Sequence, residues 1–434
     1  MSSSIPPKTK LAVNLRIAVV QLNPQIAQVS QNVSRATTML RKLKDTLDNS
    51  GTGKNLDLVV FPEFALTGYN FHSRDHILPY TSRAKDGPSF DLARLVSKMF
   101  SCYTVIGYPE RVSTDADSKL YNSAILISPE GELVFNYRKS FLYNTDEDWN
   151  CQENPAGFQN FPLLFKGRGK DLSKGKEGNA VDVTLKTSIG ICMDLSPYKF
   201  QAPFQDFEFA TYNVDNNSEL IICPMAWLHS SSVTSDLRKE EITEKVSKIE
   251  QHTRQQHLPA YGSQGDYQYD FDNRNITKRL SSDSDLLQKD YTDFAKPDMS
   301  NVNYWLLRFT PFLALRQRYL WSIEDLFPFL EKKRSASYMG SSIDGIWKFK
   351  NKNAIVVMAN RCGIEDGTTV FAGSSGIYKF NGKFDNEEGH LDSENQSVEL
   401  LGNLGKGVEG IIMRDVNFEV FRNVNEKCNQ CIRR

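Results

Sequence analysis

SIGICMDLSP, residues 188–197, is the stretch on which the reading of this 434-residue chain turns. Upstream of it, Val181, Val183, Leu185, Ile189 and Ile191 are separated by Asp182, Thr184 and Lys186. Such period-two alternation predicts a strand, with residues 187–190 marking a bend or a close approach of backbones. Cys192 falls where the strand runs out, and Asp194, Ser196 and Pro197 carry turn and helix-start chemistry. A thiol on such an elbow projects into a cleft, and N–H groups just beyond it can face a developing oxyanion. Cysteine is equally at home as a small buried hydrophobe, so this segment alone leaves both readings standing.

On either side of the elbow the chain alternates strands with helices. Residues 16–22 (RIAVVQL) and 56–61 are continuous apolar runs of the kind buried on both faces, and residues 29–47 between them have helical spacing. Residues 89–100 predict a helix, 103–107 a strand, and 120–138 a hairpin turning at 128–131. A helix is expected at 204–214 and a strand at 220–223. Strands return at 354–359, 369–371, 376–380 and 398–401. This rhythm predicts an α/β domain whose strand ends gather a site along one edge. It lapses from 229 to about 345, where 240–257 reads as one charged helix and 265–300 is too polar to bury much. The expected organisation is an N-terminal extension (1–15), one domain (16–420) interrupted by an insertion at about 229–345, and a polar tail (421–434).

Composition narrows the function classes. Fifty-two Lys and Arg against 53 Asp and Glu give a formal charge of −1, and no basic stripe argues for nucleic acid. Seven scattered cysteines, an odd number, do not read as a disulfide framework and fit a reducing, cytoplasmic setting. Cys428 and Cys431 form one CxxC with no second pair and no nearby His, a weak metal or redox signal. No apolar run is long enough to span a bilayer. The nearest, 304–321, is interrupted by Arg308, Pro311, Arg316 and Arg318 and reads as a packed helix or helix pair.

Glu63 follows a buried strand and Pro62, among Phe61, Phe64 and Leu66. A carboxylate in such a pocket has its pKa raised and suits general acid–base work; the alternative is a solvated strand end. Lys139 closes the hairpin, either reaching inward towards an oxyanion or lying as an edge charge. Asp146, Glu147, Asp148 and Glu153 crowd the loop that follows. There is no GxSxG, HExxH or P-loop, and none of the six histidines lies near Cys192 in sequence. If Cys192 is activated, Glu and Lys are the available partners.

Taken in order, Glu63 in FPEFALTGYNF, Lys139 in NYRKSFL, Glu153 in CQENPAGF and Cys192 in IGICMDLSP resemble the motifs of the nitrilase superfamily. Residues 347–382 resemble the stretch that completes that fold, and the resemblance spans about 16–228 and 346–415. It implies a four-layer α-β-β-α sandwich, here with a large insertion, that hydrolyses a carbon–nitrogen bond in an amide or nitrile with no metal or organic cofactor. It implies Cys192 as nucleophile, Glu63 as base, Lys139 and the Met193 backbone N–H as oxyanion donors, and Glu153 as the group orienting Lys139 and Glu63.

The residues after the cysteine, MDLSPYKF, depart from the Tyr/Trp-Asp-Arg-Phe-Pro-Glu run of many members. With LTGYNFHSRDHILPY and CPMAWL they resemble a branch that deamidates N-terminal Asn and Gln of proteins in the N-degron pathway. That implies protein or peptide N-termini as substrates, N-degron pathway proteins as partners for the insertion, and neither nucleic acid nor membrane. Reading a free N-terminus calls for an acid facing the α-ammonium, for which Asp194, Asp146 and Asp148 are candidates. Trp227 is either a pocket wall for the substrate's first residue or a core Trp. A small-molecule amidase or carbamoylase of the same superfamily is the nearer rival, and a non-catalytic scaffold the more distant one.

Overall fold

The structure, a computed structural model, describes residues 8–51, 55–113, 118–172, 179–234, 237–255, 267–278, 293–314, 347–383 and 396–423. Fifteen strands occur among them: β1 (Lys8–Gln21), β2 (Leu58–Val60), β3 (Tyr103–Ser113), β4 (Ser118–Ile127), β5 (Leu133–Arg138), β6 (Asn160–Asp171), β7 (Ala180–Ile189), β8 (Leu220–Met225), β9 (Gln268–Asp270), β10 (Ala354–Asn360), β11 (Cys362–Glu365), β12 (Thr369–Ala372), β13 (Gly376–Phe380), β14 (Val398–Asn403) and β15 (Gly410–Asn423). All but β11 and β12 join one mixed sheet in the order β14-β13-β10-β8-β7-β6-β1-β2-β3-β4-β5, with β15 on β1 and β9 on β15.

Alternation along β1 shows how this sheet becomes two layers. Leu11, Val13, Leu15, Ile17 and Val19 share a core with Val183, Ile222 and Val357 of β7, β8 and β10, so β1 meets β10 and β3 meets β8 across the molecule. The opposite face of β1, Ala18 and Val20, packs on the helices Val29–Asn49 and Gly87–Phe100. Helices Glu208–Asp215 and Met299–Arg308 pack on the other half through Phe209, Val302 and Trp305. Helix, sheet, sheet, helix is the expected four-layer sandwich. Each half contains a parallel trio, β1-β2-β3 and β7-β8-β10, and the polar ends of these strands form one edge, as open α/β sheets favour.

Three expectations shift. The extension placed at 1–15 is strand from Lys8 onward and the tail placed at 421–434 is strand as far as Asn423, the two pairing from Lys8↔Asn423 to Gln21↔Gly410. Lys10, Ala12 and Asn14 alternate with buried Leu11, Val13 and Leu15, and the polar members hid the period. Within the insertion, the stretch read as too polar contains β9, which joins β15 in parallel while Tyr267, Tyr269 and Phe271 pack on the Gly87–Phe100 side of the sheet. The charged helix is present as Lys239–Gln255. Met299–Arg308 is a core helix, with Val302 and Trp305 fully buried. Cys428 and Cys431 lie outside the described residues. No described helix is long and apolar enough to cross a membrane.

Candidate active site

Glu63 reaches the site because β2 is buried throughout, ends at Val60 and continues through buried Phe61 into Pro62. Gly107 on β3 permits this: a Cβ there would lie 2.6 Å from the Glu63 Cα and 2.7 Å from the Pro62 carbonyl. Phe64 then turns the chain with φ +46°. Lys139 follows β5, held by its N–H on the Asn122 carbonyl at 2.8 Å and its carbonyl under the Asn154 N–H at 3.0 Å. Both side chains are wholly buried, and Lys139 Nζ lies 2.8 Å from Glu63 Oε1.

The second carboxylate of this cluster is Asp146. On the short helix Asn144–Asp148, its Oδ2 receives Lys139 Nζ at 2.7 Å and the Tyr143 N–H at 3.0 Å. Asn122 of β4 joins the two acids, donating to Glu63 Oε1 at 2.6 Å and Asp146 Oδ1 at 2.9 Å. Glu63 Oε2 is buried and has no hydrogen-bond partner among the described residues. Burial, with Asp146 nearby, pushes the Glu63 carboxyl up against the opposing pull of Lys139. Burial opposes the charge on Lys139, but Asp146 and Glu63 outweigh it and hold the ammonium well above its usual range.

Cys192 stands one strand-end away. β7 stops at Ile189, Gly190 makes room for the Phe209 ring, and Cys192 opens a single helical turn, Cys192–Leu195, with φ +43°. A non-glycine residue in the left-handed region is strained and persists only where its surroundings enforce it. Asp194 does the enforcing: Oδ2 accepts the Ile191 N–H at 2.7 Å and the Tyr137 hydroxyl at 2.9 Å, and Oδ1 the N–H groups of Ser140 and Phe141 at 3.0 and 2.8 Å. Burial first, then Glu63, pushes the thiol well above its usual range, while Lys139 and a hydrogen bond from the Ala226 backbone pull the other way. As second residue of its turn, Met193 has no intrahelical carbonyl for its N–H.

Several sequence-derived roles therefore move. Glu153 is exposed and accepts the Tyr198 hydroxyl at 2.8 Å; Asp146 holds the place beside Lys139 expected of it, because the short helix turns Asp146 inward. Asp194 and Asp146, considered for the substrate α-ammonium, are fully buried and already bonded to protein donors. Asp148 is exposed at the end of its helix. Trp227 is half-buried just beyond β8, its backbone N–H on Asn360 Oδ1 at 2.7 Å and its ring 5.6 Å from Tyr304 and 6.1 Å from Trp305 of the insertion. Sequence reasoning passed over Asn122, although an amide inside the apolar run of β4 was a visible signal. Among the described residues no group of three or more His, Cys, Asp or Glu side chains is arranged to hold a metal.

Comparison with known proteins gives consistent relatives. Residues 16–196 match the carbon–nitrogen hydrolase family. The chain is 50% identical to a protein N-terminal amidase of Saccharomyces cerevisiae over 95% of this chain and 97% of that one. Crystal structures of an N-terminal amidase with a Gln-Val peptide and with an Asn-Glu peptide are 49% identical, cover 95% of this chain and 100% of theirs, and superpose with TM-scores of 0.83 and 0.84.

Proposed function

The chain belongs to the protein N-terminal amidase family of carbon–nitrogen hydrolases, and from this premise we infer that it converts N-terminal Asn and Gln of proteins and peptides to Asp and Glu, releasing ammonia. The observation that carries the reading is the buried Glu63–Lys139–Asp146 cluster beside the strained Cys192 elbow, in a chain so similar along its length to such amidases.

In this reading Glu63 takes the thiol proton through Oε2, the oxygen with no donor among the described residues. The Cys192 thiolate attacks the side-chain carboxamide carbon, and its C–N bond breaks after Glu63 returns the proton to the leaving nitrogen. A buried thiol with a raised pKa is not a standing thiolate, so proton removal and attack are coupled. The Lys139 ammonium and the Met193 N–H face the tetrahedral oxyanion; losing one such donor typically costs about 10²–10³ in rate. Water activated by Glu63 then opens the thioester. Asp146, balancing the Lys139 charge, acts as the positioning group, and Glu153 belongs to the rim. With two carboxylates, an ammonium and a thiol so close, protonation belongs to the set and not to single residues.

Trp227, backed by Tyr304 and Trp305, is the proposed wall for the substrate's first residue, and Asp148 remains a candidate for its α-ammonium. A cytoplasmic setting and N-degron partners engaged through the insertion complete the proposal. Mass spectrometry of peptides beginning Asn-, Gln-, acetyl-Asn- and Ala-Asn- tests it. Amide-to-acid conversion is expected for the first two and not for the others. Comparable conversion of acetyl-Asn and free-Asn peptides would favour a small-molecule-type amidase that does not read the terminus.

A further inference from the structure

The chain that follows the nucleophile turn is irregular and strained, and it is fastened from a distance. From 196 to 207 it winds through two single turns, Tyr198–Phe200 and Phe204–Asp206, with Lys199, Phe200 and Phe207 at φ +53°, +54° and +44°. Residues other than glycine hold such angles only where their surroundings impose them. The turn Cys192–Leu195 also ends on an open carbonyl. The Ser196 N–H closes on the Met193 carbonyl at 2.9 Å, and Pro197 has no N–H to give. The Tyr198 N–H, which a further tight turn would direct to the Leu195 carbonyl, is taken instead by Glu208 Oε1 at 3.1 Å.

Arg308 supplies the missing donor. It ends the helix Met299–Arg308 of the insertion, 113 residues beyond Leu195. Its Nε donates to the Leu195 carbonyl at 2.6 Å, its Nη1 to the Phe204 carbonyl, and its Nη2 to Glu208 Oε2 at 3.2 Å. The guanidinium also faces the rings of Phe204 and Phe207, 4.7 and 5.1 Å from their centres. One planar group therefore ties the start of the irregular stretch to its end and to the helix Glu208–Asp215. The side chain is buried, and a guanidinium keeps its charge even there. Such a buried charge is a poor source of net stability, because desolvation offsets what its partners return, and its best-attested use is to specify one arrangement. The arrangement here is that of the nucleophile turn. Asp194 holds its entrance through the Ile191 N–H, and Arg308 holds its exit through the Leu195 carbonyl.

Resting on the amidase reading, we propose that Arg308 is a positioning residue for the nucleophile. By fixing the exit of the Cys192–Leu195 turn it sets the Cys192 thiol against Glu63 and the Met193 N–H against the oxyanion. Arg308→Met keeps an unbranched side chain and removes every donor, whereas Arg308→Lys keeps the charge but not the fork. On an Asn-initiated peptide, kcat is expected to fall about 10²-fold in Arg308→Met and about tenfold in Arg308→Lys, since small misplacements of reacting groups cost this much. KM should stay at the wild-type value, as for an interaction that matters only in the transition state. Alkylation of Cys192 by iodoacetamide, read by mass on the peptide that contains it, should slow in the same order, because it too needs the thiol beside Glu63. Each variant is measured well below its Tm, and Arg308→Lys carries the test if Arg308→Met does not fold. A wild-type kcat with only Tm lowered, a loss confined to KM, or a wild-type alkylation rate would each overturn the role. The alkylation needs no peptide substrate, so it decides the placement of Cys192 independently of turnover. Wild-type turnover of the peptide is the separate check on the amidase reading, and failure of one is distinguishable from failure of the other.

Discussion

At the scale of single residues, the centre of the molecule is one ammonium shared by two carboxylates, with an amide tying the carboxylates together. Lys139 donates to Glu63 and Asp146, and Asn122 donates to both. This arrangement distinguishes the roles of two acids that lie seven positions apart. Asp146→Asn should cost orders of magnitude in kcat/KM, because a buried ammonium loses part of its compensation; Glu153→Gln should change it little. The pH profile carries a sign as well. Burial raises the Glu63 carboxyl, so the acid limb of kcat/KM should lie above the ordinary carboxylate range, with activity lost as pH falls through it. Asp146 is one of the charges raising Glu63, so the residual activity of Asp146→Asn should show that limb moved to lower pH. An unmoved limb would mean that Glu63 is not the group titrating.

At the scale of elements, the site depends on strand ends that stop at the right place, and glycines set two of those stops. β2 delivers Glu63 only because β3 has no side chain at Gly107, and β7 delivers Cys192 past Phe209 at Gly190. Gly107→Ala should therefore displace the Glu63 backbone, because the new carbon meets backbone atoms that cannot swing aside. The expected loss is about 1–3 kcal/mol of stability, as for overpacked cores, together with a fall in kcat/KM larger than the stability change explains. Denaturant titration paired with kinetics measures both, and unchanged kinetics would show that the Glu63 placement does not rely on this contact. The elbow follows the same logic in reverse: four donors converging on Asp194 keep Cys192 at positive φ, which is why the acid next to the nucleophile braces the turn and is not open to substrate.

At the scale of the whole molecule, part of the insertion belongs to the core: Val302 and Trp305 are wholly buried with the strands of the sheet. Trp305 is fully buried in the core shared with the sheet and stands edge-on to Trp227, so Trp305→Ala should cost about 3–5 kcal/mol, as truncation of a core aromatic does. A cost below about 0.5 kcal/mol, as at ordinary surface positions, would instead mark the insertion as peripheral. What the sequence by itself determined is everything written in local periodicity and local chemistry: the strand–helix alternation, the buried run leading to Glu63, the hairpin closing at Lys139 and the strand that stops before Cys192. Each reflects a period or a turn signal contained within about ten residues. Tertiary structure decided what depends on residues far apart in the chain. The pairing of β1 with β15, the choice of Asp146 over Glu153 beside Lys139, and the use of Asp194 as a brace all follow from which groups are brought together when the sheet halves close. An acid in a loop reads the same in sequence whether it turns towards a buried ammonium or towards water, and only the packed chain sets its burial and its partner.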